Sequence, residues 1–344
     1  GGFSLGFRHQ GFEVAGAIES DESAVQIHGQ NFFEPLLAPY HSVAKDITQT
    51  DPKEFLTELR QGEEPELAID VIIGGPPCQA FSRIGRAKLR EIANSPDAHL
   101  EDPRAQLYKQ YIRFVRELKP LAVVMENVTD ILSFDGRNVP EEICETLDDM
   151  GYECRYTTLN AVHFGVPQLR ERMFLLGLAK ELKLEPVFPE PTHHYRLPTG
   201  YQEGRKRAIG FAPEGSKFFI VPVDSQPSLP KAVGVKEALN DLPAITDHLA
   251  EYILPTYATD EVLSYRKGVK PSNFARQMRN WEALKAEGVS GHVIRYLPRD
   301  FRIFSAMSPG DQYPDAHRIA TRLFEEELDR RRRSGQTLEV DSEE

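Results

Sequence analysis

Short apolar runs recur along the first half of the chain, at residues 12–19, 70–74, 121–126, 152–161 and 172–178, and helical patterns fill the gaps between them. Runs of this length fit buried strands, and strands that alternate with helices build βαβ units around a mostly parallel sheet. Two helix starts are marked: Asp51-Pro52 and Asp102-Pro103 each put a capping carboxylate before a proline at the first helical position, and the second pattern stops at Pro120. The expected fold is α/β. In such a sheet ligands sit beyond the carboxyl ends of the strands. Glu19 would end the first run, "GGPPC" (74–78) follows the second, and "ENV" (126–128) closes the third, so all three are expected to face one crevice.

From about residue 181 the texture changes. "EPVFPEPTHHYRLPTG" and "SQPSLPKAVG" are proline-rich, regular strand spacing disappears, and short helical patterns follow at 235–242, 274–287 and 315–333. The division expected is therefore a domain at 1–180 and an extension at 181–344. With 344 residues, 40% of them hydrophobic, the chain is long enough to bury a full core, which excludes a peptide-sized binding module. No stretch approaches the roughly 18 uncharged apolar residues of a membrane span, and no secretory leader is visible, so a soluble cytoplasmic protein is expected, with no membrane partner. The three cysteines, Cys78, Cys144 and Cys154, form no CxxC pair, against a disulfide framework or a zinc knuckle. A formal charge of −12 means that nucleic-acid binding would have to rest on a local basic cleft.

Three elements could carry chemistry. Cys78 follows Gly74, Gly75, Pro76 and Pro77; the prolines fix the loop and the glycines admit a ligand to the backbone, a setting that suits a thiolate nucleophile as well as an inert buried thiol. Glu126, at the end of "LAVVMEN", would be partly desolvated and able to hold or share a proton; a turn cap or an ion pair is the alternative. Arg170 and Arg172 alternate in "VPQLRERMFLLGL", so they point the same way and could present two planar forks to a carbonyl or a phosphate, or simply be solvated.

Together, "GGFSLGF", "GGPPCQAFSRIG", "ENV" and "QLRER", in this order and spacing, resemble the successive motifs of the DNA cytosine-C5 methyltransferases, firmly through about residue 180 and more loosely through "VGVKEALNDLP" and "HVIRYLPRDFRIF". The resemblance implies a Rossmann-like S-adenosylmethionine-dependent methyltransferase fold with a partial target-recognition extension. It implies that Cys78 adds to carbon 6 of a flipped-out cytosine in duplex DNA, that Glu126 engages ring nitrogen N3, that Arg172 and Arg170 steady the base carbonyl and nearby phosphates, and that Gln79 shapes the loop. Arg83, Arg86, Lys88 and Arg90 would give that loop local positive charge. For the cofactor it implies Gly1, Gly2 and Phe3 at the first glycine-rich turn, Glu19 on the ribose hydroxyls, Asp46 and Ile47 at the adenine, Leu107 at the methionine part, and Pro76 in the loop beside it.

Family members also carry a strand and an aromatic residue before the glycine turn, and a late helix bearing an Asn. Neither is found in 1–344, so truncation at both ends, or one half of a split enzyme with a complementing C-terminal polypeptide, is expected. A cognate restriction endonuclease is a further expected partner. A tRNA cytosine-C5 methyltransferase of the same fold, a non-catalytic DNA- or cofactor-binding homologue, and a dinucleotide-dependent oxidoreductase remain competing readings.

Overall fold

The computed structural model describes residues 1–33, 40–60, 69–76, 107–134, 136–244, 262–279, 288–289, 298–308 and 310–334. The chain divides into two compact units, Gly1–Val233 and Gly234–Glu344.

In the first unit, helices α1 (Gly2–His9), α2 (Glu22–Phe32) and α3 (Pro52–Arg60) precede strand β1 (Val71–Gly74). Then come α4 (Leu107–Leu118), β2 (Ala122–Asn127), α5 (Val139–Asp149), β3 (Tyr152–Asn160), β4 (Glu171–Ala179) and α6 (Thr199–Gly210). The sheet order is β1-β2-β4-β3. β1 and β2 are parallel, and β4 is antiparallel to both β2 and β3. Three of the four strands thus run in one direction and β4 is reversed, as a Rossmann-like α/β fold with a parallel-leaning sheet.

Alternation decides which face of each strand is core. On β2, Val123, Met125 and Asn127 are buried; on β4, Met173, Leu175 and Gly177 are. Opposite them lie Ile143, Cys144 and Leu147 of α5 and Tyr111, Ile112 and Val115 of α4, in one cluster with Tyr152, Cys154 and Tyr156 of β3. Gly74 is required here by packing: a Cβ would come within 2.7 Å of the Tyr111 ring. The Asp51 cap is realised, its carboxylate accepting from Lys53 N–H at 2.9 Å and Glu54 N–H at 3.0 Å ahead of α3; a cap of this kind contributes about 1 kcal/mol. Asp102 and Pro103 lie outside the described residues. α4 ends at Leu118, and Lys119 turns the chain at φ 46° before Pro120.

One expectation, a strand at residues 12–19, is corrected. Residues 12–19 form no strand. Their backbone is tied at its ends instead, Phe12 N–H donating to Phe7 C=O (3.1 Å) and Glu19 C=O accepting from Lys45 N–H (2.8 Å). An apolar run becomes a strand only where a neighbour takes its hydrogen bonds, so Glu19 sits at the end of an extended segment. The compact unit also runs past residue 180 to Val233. Phe218 is buried in the core, Tyr156 N–H donates to Phe218 C=O (2.8 Å), and Ile220 N–H donates to Tyr156 C=O (2.9 Å). Among the described residues of this unit the last strand ends at Ala179, while the chain beyond it continues to pack on β3.

The second unit holds short helices α7 (Val235–Leu239) and α8 (Asn273–Arg279), a strand pair β5 (Leu263–Ser264) and β6 (Gly288–Val289), and helices α9 (Pro298–Ala306) and α10 (Tyr313–Arg333). Arg279 pairs with the buried Asp241 and lies 3.4 Å from the Tyr265 ring centre. Among the described residues no helix is long and apolar enough to cross a membrane.

Candidate active site

Antiparallel pairing sets Glu126 of β2 directly opposite Phe174 of β4. Side chains two residues apart on a strand share a face, so Arg172 and Arg170 stand on the side of β4 to which Glu126 points. Arg172 Nε lies 3.1 Å from Glu126 Oε1, and an Arg170 terminal nitrogen 3.8 Å from the same oxygen. Side-chain exposures of 26% for Glu126, 23% for Arg172 and 49% for Arg170 leave this charge cluster partly desolvated but open to a ligand. Both arginines engage Oε1. Oε2 faces Gly75, where an added Cβ would stand 3.6 Å away at ordinary contact distance, so the glycine puts no side chain on that side of the carboxylate.

The loop leaving β1 is fixed by the next residue of "ENV". Asn127, 2% exposed, donates through Nδ2 to Pro76 C=O (3.1 Å) and accepts at Oδ1 from Val128 N–H (2.9 Å). Pro76 and Gly75 are thereby held beside Glu126. Pro77, Cys78, Gln79 and the basic positions Arg83, Arg86, Lys88 and Arg90 lie outside the described residues. The other two cysteines are unsuited to surface chemistry: Cys144 and Cys154 are 0% and 1% exposed, and burial pushes the Cys144 thiol well above its ordinary range.

The remaining sequence candidates fall into two places. Gly1 caps α1 and Gly2 begins it, while Phe3 meets Phe174 edge-on with ring centres 6.3 Å apart. That contact brings Phe3 to the Glu126 face of the sheet. Glu19 and Asp46 are on exposed turns linked by the Lys45–Glu19 backbone bond. The Asp46 carboxylate accepts from the Thr48 N–H and hydroxyl, both at 2.8 Å; these bonds, the backbone one foremost, hold it below the usual carboxylate range. Ile47 C=O is tied to Arg113 of α4 at 2.9 Å, and Leu107 is the first residue of that helix.

Four supporting residues were not singled out by sequence reasoning. Asn127 stood inside a quoted motif without a role. Asn160 ends β3 and accepts at Oδ1 from the backbone N–H of Arg170 (3.2 Å) and of Val162 (3.3 Å). Glu171, between the two arginines, points through the sheet to Arg205 of α6, Nε to Oε1 3.5 Å. Period-2 alternation around Glu171 was the available signal for its face; nothing local pointed to Arg205.

A family model described as C-5 cytosine-specific DNA methylase matches residues 1–284. The chain belongs to this family. The methylase is 32% identical over 341 residues to M.OihORF3336P of Oceanobacillus iheyensis, a chain carrying a type II methyltransferase name, with 98% of this chain and 71% of that one covered. It is 30% identical over 274 residues to the type II methyltransferase M.AgeI of Thalassovita gelatinovora, with 80% of this chain and 52% of that one covered, so it spans about half of that relative's length. Its fold is similar to that of a crystallised DNA modification methyltransferase encoded within an E. coli prophage, at TM-score 0.55 and 24% identity, with 90% of the methylase and 74% of that structure covered.

Proposed function

We propose that the methylase transfers a methyl group from S-adenosylmethionine to carbon 5 of a cytosine flipped out of duplex DNA. The observation that carries this reading is the Glu126 carboxylate, held at Oε1 by Arg172 and with Oε2 facing Gly75 in the loop that leads to Cys78. Carbon 5 of cytosine is a weak nucleophile. Addition of the Cys78 thiolate to carbon 6 pushes electrons toward carbon 5, and a proton held at N3 by Glu126 Oε2 offsets the negative charge that develops on the ring. The methyl group would come from the cofactor's sulfonium, whose methyl–sulfur bond would break as the bond to carbon 5 forms, leaving a neutral thioether; the carbon 5 proton then departs to a base, and the carbon 6–sulfur bond breaks to return the thiolate. Arg172 and Arg170 keep the Glu126 carboxylate oriented and add positive charge toward the base carbonyl and phosphates. The burial of Cys144 and Cys154 supports Cys78 as the nucleophile.

When bound, S-adenosylmethionine supplies an electrophilic methyl group on a sulfonium. The residues fit it: Glu19 uses Oε1 for Asp21 N–H (3.0 Å) and Asp46 uses Oδ1 for Thr48, so each leaves its second oxygen for a ribose hydroxyl or an adenine N–H. Phe3 and the start of α1 would meet the methionine part, with Leu107 and Pro76. The type II names of the relatives support duplex DNA as substrate and a restriction endonuclease as functional partner.

Duplex DNA containing 5-fluorocytosine tests the reading, because fluorine cannot leave carbon 5 as a proton does and the adduct is trapped. With cofactor present, the wild-type chain is expected to shift to a stable protein–DNA band in denaturing gels, and C78S to give none. A trapped C78S complex overturns the nucleophile, and labelling of tRNA in preference to duplex DNA overturns the substrate.

A further inference from the structure

We propose that Arg113 is a positioning residue for the cofactor turn, holding the segment that carries Asp46 against α4. The inference rests on the proposed S-adenosylmethionine reading of that turn. Residues 46–50 are tightly bonded among themselves: Asp46 Oδ1 accepts twice from Thr48, the Thr50 hydroxyl donates to Asp46 C=O at 2.7 Å, and Gln49 N–H donates to the same carbonyl at 3.0 Å. Such local bonds define the shape of a turn and leave its place in the molecule open.

Its place is set by Arg113. One terminal nitrogen of the partly buried guanidinium donates to Ile47 C=O at 2.9 Å and to Thr50 C=O at 2.6 Å, bracketing the turn at both ends. The helix that carries Arg113 is itself fixed to the sheet. Tyr111, Ile112, Phe114 and Val115 are buried, and the Tyr111 hydroxyl lies within donating reach of Ile72 C=O (3.2 Å) and Val124 C=O (3.1 Å). A continuous path therefore runs from β1 and β2 through α4 to the turn. Among the described residues Lys45, just before the turn, also pairs with Glu58 and lies over the Phe55 ring; the Glu58 end is 58% exposed and the pair's contribution is correspondingly small. Charge-assisted bonds from a guanidinium to two backbone carbonyls are the stronger link. Asp46 is presented to a ligand in a preset position, and binding then spends little free energy on ordering the turn.

The test uses the full chain with Arg113→Gln, which is too short and uncharged to bracket both carbonyls, and Arg113→Lys, which keeps the charge on a differently shaped and more strongly hydrated head group. Titration calorimetry with S-adenosylmethionine and with S-adenosylhomocysteine is expected to show affinity falling about tenfold in R113Q and less in R113K. Amide exchange at 46–50 in the cofactor-free protein is expected to quicken in the same order while duplex-DNA affinity stays at the wild-type value. In turnover, KM for the cofactor rises by more than kcat falls. Unchanged exchange at 46–50 in R113Q overturns the clamp whatever the wild type binds, and faster exchange with wild-type cofactor affinity overturns its role in binding. Equal loss of cofactor and DNA affinity also overturns it, since that pattern marks general damage. A wild-type chain that binds neither cofactor nor its demethylated product overturns the proposed function, and with it the cofactor role of the clamp.

Discussion

Strand β4 carries an arginine–glutamate pair on each of its faces, and the two pairs live in different surroundings. On one face Arg172 meets Glu126 at 3.1 Å with about a quarter of each side chain exposed. On the other, Glu171 meets Arg205 at 3.5 Å, with exposures of 8% and 9%, and Arg205 also holds Asp224 at 2.9 Å. Burial pushes the Glu171 carboxyl up, and Arg205 opposes that rise. One pair can be reached by a base; the other is closed off and joins β4 to α6. The same pairing therefore occurs on an open face, the one proposed to react, and on a packing face, separated by one residue along the strand.

The largest expected effect separates those faces by activity. E126Q keeps the shape of the side chain and removes its acid–base capacity, so single-turnover methyl transfer to duplex DNA is expected to fall about 10²–10³-fold. E171Q makes the same change one sheet thickness away and is expected to lose less than about tenfold, through the strand alone. Equal losses in the two variants would break the comparison.

Next comes stability, where the order reverses. Removing one member of a buried pair strands the other, so R205M is expected to lower the unfolding free energy by about 3 kcal/mol. R172M leaves Glu126 partly solvated and is expected to cost no more than about 1 kcal/mol. Urea unfolding of both variants at neutral pH measures the difference, and a larger loss in R172M would reverse the assignment of reacting and packing faces.

How much of this was legible in the sequence depends on how local each signal is. Alternation along a strand is a property of any strand, so "RER" already put Arg170 and Arg172 on one side, and both reach Glu126. The segments that became β1 to β4 were legible as short apolar runs of strand length. Residues 12–19 carried the same apolar signal but have no pairing strand among the described residues, and a strand is a relation between two segments. Arg205 and Arg113 act across the fold on groups far away in the chain, which no spacing rule reports. Asn127 and Asn160 bond to backbone, and a short polar side chain at a strand end reads equally well as a turn residue.

The smallest expected effect is a pH dependence confined to the packing face. Glu171 is shifted upward from its ordinary value of 4.5, chiefly by burial, with Arg205 pulling the other way. A carboxyl whose folded value lies above its unfolded one binds its proton more readily in the native state. Its contribution to stability is therefore fully present below the unfolded value and is lost as pH rises through the folded one. The stability of wild type relative to E171Q, which cannot titrate, is expected to decline as pH climbs above 4.5 and to level off once Glu171 is ionised in both states. Arg205 is the largest of the influences that limit the decline, ahead of the side chains of Thr158 and Asn160. In an R205M background that counterweight is gone, so the same comparison, R205M against R205M/E171Q, is expected to decline further and to level off at higher pH. Thermal unfolding across that range measures both series. A flat difference in both would mean that burial does not act on Glu171 as the packing-face reading requires, and the contrast between the two faces of β4 would fail at its physical root.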